Sequence, residues 1–209
     1  MIVSFAVSPG GPGQVEPGRL PVRAFLAVPL PAAVQEALGR FVGRLQSRCG
    51  PGKWVAEQNY HLTIKFLGNL DEALLQRLLP LLQEVGHLAT PAEATLGRLG
   101  SFGRPGRARV LWIGAEEGRE SLVALHGAIE ERLGSAHIVG PDRQPFSPHV
   151  TLARARTRQP LVFERGLLET QVPAEVTRPF PVAQLTLFGS ELTAAGPVYT
   201  TLSQVPLGT

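Results

Sequence analysis

The stretches His61-Leu62-Thr63-Ile64 and His149-Val150-Thr151-Leu152 repeat one pattern of histidine, apolar residue, threonine and apolar residue. Each lies in an apolar run that is typical of a β-strand. Alternate side chains of a strand point to the same face. Each histidine is therefore expected beside its own threonine, while the intervening apolar side chains point into a core. The repeated pattern predicts one site that is built from two equivalent halves.

Two imidazoles and two hydroxyls suit a displacement at phosphorus. Such a reaction needs a base for the nucleophile and an acid for the leaving oxygen, and histidine can serve as either near neutral pH. A threonine hydroxyl can donate a hydrogen bond to a nonbridging phosphate oxygen. Metal binding is the rival interpretation, because His87, His126 or His137 could join the motif histidines. No cysteine cluster favours a zinc site, and neither motif has a carboxylate beside it, so metal binding is possible but has no support in the sequence.

The composition describes an ordinary globular protein. Of 209 residues, 44% are hydrophobic and 18% are charged, which allows a substantial core. A single cysteine, Cys49, excludes an intramolecular disulfide. No apolar run reaches the roughly 18–20 residues that cross a bilayer, and no secretory signal is recognisable, so a cytoplasmic protein without membrane contact is expected. The net charge of +3 allows an anionic partner but is too small to predict a long nucleic-acid footprint.

The pattern along the chain is mixed α and β without regular βαβ alternation. Residues 1–20 are rich in glycine and proline and are predicted to be a flexible extension. Helices are predicted at 32–48, at 71–85 with Asp71 as its cap, and at 116–133. Strands are predicted at 22–28, 53–55, 61–67, 92–102, 107–114, 149–154, 182–189 and 198–205.

These residues resemble the two-histidine (2H) phosphoesterase superfamily and, within it, the RNA 2′,3′-cyclic phosphodiesterases, also called 2′-5′ RNA ligases. Trp54-Val55 with residues 61–68 is similar to the first family motif, and residues 145–154 are similar to the second. Residues 22–28 and 198–202 resemble the first and closing strands, with Thr201 in a place where the family has proline. The resemblance covers a single domain at 21–205, which leaves residues 206–209 as a tail.

The family resemblance implies an α+β, bilobal fold with pseudo-twofold symmetry. Two antiparallel sheets would face each other across a central cleft, with the helices outside. It also implies hydrolysis of an RNA 2′,3′-cyclic phosphate to a 2′-phosphomonoester without metal or cofactor. Some members of the family join or cleave 2′-5′ linkages.

Roles for individual residues follow from the same resemblance. His149 would be the proton acceptor and His61 the proton donor, although the near symmetry of the motifs does not fix this assignment. Thr63, Thr151 and Arg154 would bind the phosphate. Arg154 lies five positions after His149, and an odd offset points to the opposite face of an ideal strand. Its reach therefore requires a bulge, a bend or a strand end.

Four aromatic side chains are candidates for stacking on a base, because unpaired RNA ends are often bound by aromatic faces. They are Phe25, Trp54, Phe146 and Tyr199, and packing in the core is the alternative for each. The expected partner is an RNA end or a short oligonucleotide that carries a 2′,3′-cyclic phosphate, and a monomer is expected. Two other functions remain open: a phosphodiesterase for 2′-5′ oligonucleotides or small cyclic nucleotides, and an RNA-end binding protein without turnover.

Overall fold

The computed structural model describes residues 22–104, 107–156, 159–194 and 196–208. The predicted extension at 1–20 lies outside these ranges. Within them the chain forms three α-helices: α1 (Ala32–Gln46), α2 (Glu72–Leu88) and α3 (Arg119–Ser135). It also forms the strands β1 (Val22–Pro29), β2 (Lys53–Trp54), β3 (His61–Leu70), β4 (Ala92–Ala94), β5 (Leu96–Arg104), β6 (Arg107–Ala115), β7 (His149–Arg154), β8 (Phe180–Val182), β9 (Gln184–Thr193) and β10 (Gly196–Pro206).

The strands form two antiparallel halves, each of which contains one motif strand. One half has the order β10-β9-β1-β3, and the other has the order β7-β6-β5. The short β2 pairs with β7 on the edge opposite β6. The halves are hydrogen-bonded to each other where β3 meets β7, and β4 pairs with β8 in a separate small sheet. The predicted α+β, bilobal fold is confirmed. No helix of the described residues is long and apolar enough to cross a membrane.

Most of the predicted elements are present, with bounds that shift by a few residues. The carboxylate of Asp71 accepts a hydrogen bond from the Leu74 N–H at 2.8 Å, which confirms the predicted cap of α2. The strand predicted at 61–67 continues to Leu70, because residues 68–70 pair with β1, and Gly68 adopts a φ of +77° that glycine tolerates. Packing also continues past residue 205, the predicted end of the domain, since Leu207 is buried and its N–H donates to the Ala183 carbonyl.

The predicted strand at 92–102 is wrong as a single element. Residues Ala92–Ala94 pair with β8, whereas Leu96–Arg104 pair with β6. Thr95 separates the two strands, and its side-chain hydroxyl accepts a hydrogen bond from the Glu117 N–H. A continuous apolar pattern does not indicate which strand each of its parts pairs with, since pairing depends on strands that are distant in sequence.

Each motif strand contains a β-bulge at the same position, three residues after its histidine. In β3, the neighbouring β1 pairs Leu26 with Lys65 and Ala27 with Thr63, which leaves Ile64 as the extra residue. In β7, the register with β6 leaves Leu152 as the extra residue in the same way. A bulge reverses the alternation of faces beyond it. The residues five after each histidine, Phe66 and Arg154, therefore return to the face that carries the histidines.

Replacing Leu62 by alanine is expected to lower the free energy of unfolding by about 2–5 kcal/mol, since Leu62 is fully buried where the halves meet. Urea unfolding monitored by circular dichroism would measure the loss. Leu192→Ala is the matched control, because Leu192 is 84% exposed and its truncation should change stability by no more than about 0.5 kcal/mol. Equal losses in the two variants would contradict the role given to Leu62.

Candidate active site

The two sequence motifs meet where β3 contacts β7. Leu62 is the register partner of Val150, and both side chains are fully buried. Their neighbours along each strand point to the opposite face, so the two motif histidines and the two motif threonines lie on that face and are partly buried. An antiparallel register sets the histidine of each motif across from the threonine of the other. The structure thus brings the four predicted residues together.

Both motif histidines are held by the main chain in the same way. The Nδ1 atom of His61 lies 2.8 Å from the Asn59 carbonyl oxygen, and that of His149 lies 2.7 Å from the Ser147 carbonyl oxygen. A carbonyl oxygen only accepts hydrogen bonds, so Nδ1 carries the hydrogen in both rings. Each neutral ring therefore has its lone pair on Nε2. In His61 this atom accepts a hydrogen bond from the Thr63 hydroxyl at 3.0 Å.

The surroundings disfavour a positive charge on either imidazole. Burial lowers the pKa of His61 to about 4, and the charges of Arg154 and His149 act in the same direction. Burial also lowers the pKa of His149, again with help from Arg154. In each ring the bond to the backbone carbonyl opposes the shift. A bound anion would oppose these effects and favour the protonated form of each imidazole. The protonation state of the two rings is therefore coupled to the binding of an anion.

Arg154 reaches the site through the bulge in β7. Its Nη2 atom lies 3.5 Å from the Thr151 hydroxyl oxygen, and its charge acts on both motif histidines. The bulge turns Arg154 to the face of the histidines despite its odd offset of five from His149. A bulge was one of the irregularities expected from the sequence. The guanidinium remains exposed, so it is free to contact a ligand.

Two of the four predicted stacking residues support His61. The ring of Phe25 is stacked on the imidazole at a centroid distance of 4.9 Å, and Tyr199 meets the imidazole edge-on at 5.4 Å. Phe25 is buried in the core, so its face is not open to a base. Trp54 is paired with Ala153 and packs partly buried against the core. Among the four, Phe146 alone lines the pocket described next.

A pocket of about 570 Å³ opens beside His149 and Thr63. Its walls include three phenylalanines: Phe66, Phe102 and Phe146. Phe66 is 62% exposed and Phe102 is 38% exposed, and Phe102 meets the His149 ring edge-on at 4.9 Å. Apolar walls and this volume are typical of small-ligand sites. Phe66 and Phe102 were not predicted from the sequence, although the position of Phe66, five after His61, could have indicated it by analogy with Arg154.

A buried ammonium group holds one wall of this pocket. Lys65 is 1% exposed, and its Nζ donates to Glu130, to the Gly140 carbonyl at 3.0 Å and to Asp142 at 2.9 Å. All three N–H groups of the ammonium thus have acceptors. The contacts connect β3 with α3 and with the loop at 140–148 that precedes β7. This loop supplies Phe146 to the pocket.

His126 extends the same network to the pocket wall. Its Nε2 donates to Asp142 at 3.0 Å, and its ring is stacked on Phe146 at 4.3 Å with an interplanar angle of 2°. Burial raises the pKa of Asp142, but the hydrogen bonds from His126 and Lys65 outweigh it, so the pKa is lowered overall. An ionised Asp142 therefore anchors the loop and, through His126, orients the Phe146 ring.

The described residues contain one group that could hold a metal ion, and one of its members, Asp142, lines the pocket. Ligand atoms of His126, Glu130 and Asp142 lie within 4.8 Å of one another. The ammonium of Lys65 already binds both of these carboxylates, so a metal ion would have to displace it. Neither motif histidine belongs to such a group within the described ranges.

Known proteins with the same organisation share both sequence and fold with the chain. The model of the 2′-5′ RNA ligase superfamily matches residues 31–191. A curated RNA 2′,3′-cyclic phosphodiesterase of Aquifex aeolicus is 31% identical over 190 residues, which is 90% of this chain and 98% of the relative. One of the same name from Thermus thermophilus is 36% identical over 190 residues, with 89% and 90% coverage. A crystal structure of a protein from Thermus thermophilus matches with a TM-score of 0.70 and 31% identity, covering 89% of this chain and 98% of its own.

Replacing Arg154 by glutamine is expected to raise the pKa of both motif histidines, because a nearby positive charge disfavours the imidazolium form. An NMR titration of the histidine C2 protons in phosphate-free buffer would measure the shifts, with His→Gln variants to assign the signals. Arg40→Gln removes the same charge from the exposed surface of α1 and should leave both values unchanged. Identical titrations of the wild type and Arg154→Gln would contradict the placement of Arg154.

Proposed function

The protein belongs to the 2′-5′ RNA ligase superfamily, and from that premise we propose that it hydrolyses the 2′,3′-cyclic phosphate at an RNA end. The product would be a 2′-phosphomonoester, and no metal ion would take part. The observation that carries the proposal is the symmetric presentation of two His–Thr pairs on one face, around the buried contact of Leu62 with Val150. The shared name of the curated relatives supports the same substrate.

In the proposed reaction the two imidazoles take opposite roles. His149 accepts a proton from the attacking water through Nε2, which is unprotonated in the neutral ring. His61 protonates the departing 3′-oxygen. For this step His61 must carry a second proton, although its pKa is about 4 in the free protein. The negative charge of the bound phosphate compensates for burial and raises this pKa. Substrate binding itself therefore promotes the protonation of His61.

Three further side chains bind the phosphate in this proposal. Thr63 and Thr151 donate hydroxyl hydrogen bonds to the nonbridging oxygens, on which negative charge accumulates during the displacement. Arg154 adds a fixed positive charge next to Thr151. The site contains no acidic side chain on the motif strands, so nothing in them repels the anion.

The aromatic pocket would receive the nucleoside that carries the cyclic phosphate. Phe66 and Phe102 are partly exposed there, and aromatic faces stack on unpaired bases. They replace Phe25 and Trp54 as candidates for base stacking, while Phe146 remains one. A ribose 5′-hydroxyl in place of water would give a 2′-5′ linkage by the same displacement.

A single-turnover assay tests the reaction class. A short RNA with a 3′-terminal 2′,3′-cyclic phosphate is incubated with excess protein in EDTA, and the position of the product phosphate is mapped. We expect a 2′-phosphate, because the 3′-oxygen is the leaving group. Activity that disappears in EDTA and returns with Zn²⁺ or Mn²⁺ would contradict the proposal. No product from this RNA, with turnover of 2′-5′ oligomers or cyclic mononucleotides, would assign one of those substrates instead.

The variants His61→Ala and His149→Ala are each expected to lower the single-turnover rate by about 10²-fold or more, the usual scale for removing a general acid or base. His87→Ala, on the exposed surface of α2, is the matched control and should retain the wild-type rate. A rate close to that of the wild type in either motif variant would exclude the two-histidine mechanism. Normal binding without turnover in the wild type would leave the motifs as a phosphate-binding site.

A further inference from the structure

The small net charge of the chain conceals a strong segregation of charge. Residues 94–115 and 143–163 contain no aspartate or glutamate, and they hold eight of the arginines: Arg98, Arg104, Arg107, Arg109, Arg143, Arg154, Arg156 and Arg158. The remainder of the chain has 17 acidic and 12 basic side chains. The two acid-free stretches contain β5, β6 and β7. These two stretches are therefore cationic, whereas the remainder of the chain carries a net negative charge.

Four of these arginines form a rim next to the active site. The basic rim, as we define it, consists of Arg104, Arg107, Arg109 and Arg156, all of which are exposed. Arg104 and Arg107 are register partners at the end of the β5–β6 hairpin. The carbonyl of Arg109 accepts a hydrogen bond from the Ala155 N–H at 2.8 Å, which places Arg109 beside the segment that joins Arg154 to Arg156. The rim is thus continuous with the arginine of the candidate active site.

The rim guanidinium groups have no carboxylate partner among the described residues. By contrast, Arg98 of the same hairpin is paired with Glu116 at 3.4 Å, and Arg48 elsewhere is paired with Glu164 at 3.1 Å. Two like charges directly opposite each other on neighbouring strands, as at Arg104 and Arg107, destabilise a hairpin. A bound anion between them removes this repulsion.

We propose that the basic rim binds the phosphodiester backbone of the RNA strand that leads to the reactive end. The proposal rests on the proposed function and narrows its substrate to an oligonucleotide with several phosphates before the cyclic one. Guanidinium groups bind phosphate oxygens in a bidentate manner. A nucleic acid is favoured over an anionic membrane because the rim lies close to the pocket proposed for the nucleoside. Phe102 lines this pocket, and Arg104, the first residue of the rim, follows it by two positions. The net charge of the whole chain is too small to predict such a contact, because acidic side chains outside the two acid-free stretches offset the local excess of arginine.

The test compares substrates of different length. RNAs of two, four and eight nucleotides with a 2′,3′-cyclic phosphate are assayed in EDTA, and kcat/KM is measured as a function of salt concentration. For the wild type we expect kcat/KM to rise with length. For R104Q/R107Q/R109Q we expect no such rise and unchanged kcat/KM for the dinucleotide. For the eight-nucleotide RNA, the slope of log kcat/KM against log salt should become shallower by about 2, since each lost phosphate contact contributes about 0.7.

The matched control is R40Q/R44Q/R119Q, which removes the same charge from exposed helix positions and should preserve the length dependence. A wild-type kcat/KM that is independent of length, or equal behaviour of the two triple variants, would overturn the proposal. Should no RNA be turned over, fluorescence anisotropy with an eight-nucleotide RNA that ends in a 3′-hydroxyl tests the rim alone. Salt-sensitive binding that the rim variant loses supports the rim. Absence of such binding, or binding only to phosphatidylglycerol vesicles, overturns it.

Discussion

The contact between Leu62 and Val150 is the constraint on which the rest of the site depends. It joins two antiparallel halves at the point where each contributes a motif strand. Because both side chains are fully buried, a slip of one residue in either strand would turn an apolar side chain to the cleft and a histidine into the core. Hydrophobic burial therefore enforces the register, and the register places two imidazoles and two hydroxyls around one point.

The two bulges convert this symmetric centre into an asymmetric binding site. They act at equivalent positions, yet the residues that follow differ. Four residues after the histidine, β3 has the buried Lys65 where β7 has Ala153. Five residues after it, β3 presents Phe66 to the cleft where β7 presents Arg154. Under the proposed function, this difference would fix the orientation of a substrate that has a base on one side of its phosphate, although the two His–Thr pairs are nearly equivalent.

Local patterns predicted the parts of the protein that depend on neighbouring residues. The motif strands, the three helices and the Asp71 cap follow from periodicity and capping chemistry within a few positions. The pocket did not, because the exposure of Phe66 depends on a bulge that exists only relative to β1. The buried ammonium of Lys65 likewise needs acceptors 65 to 77 positions away. Phe25 was a reasonable stacking candidate by type, but its face is covered by His61.

The carbonyl groups that hold both imidazoles make their orientation a property of the main chain. In many hydrolases a carboxylate side chain fixes the tautomer of the catalytic histidine, and one substitution can remove it. Here the acceptors belong to the backbone of Asn59 and Ser147. Any residue that preserves the local backbone path can occupy positions 59 and 147 without changing which nitrogen carries the hydrogen. Mutation of Asn59 or Ser147 therefore need not change the orientation of the two motif imidazoles, although these residues provide the acceptors.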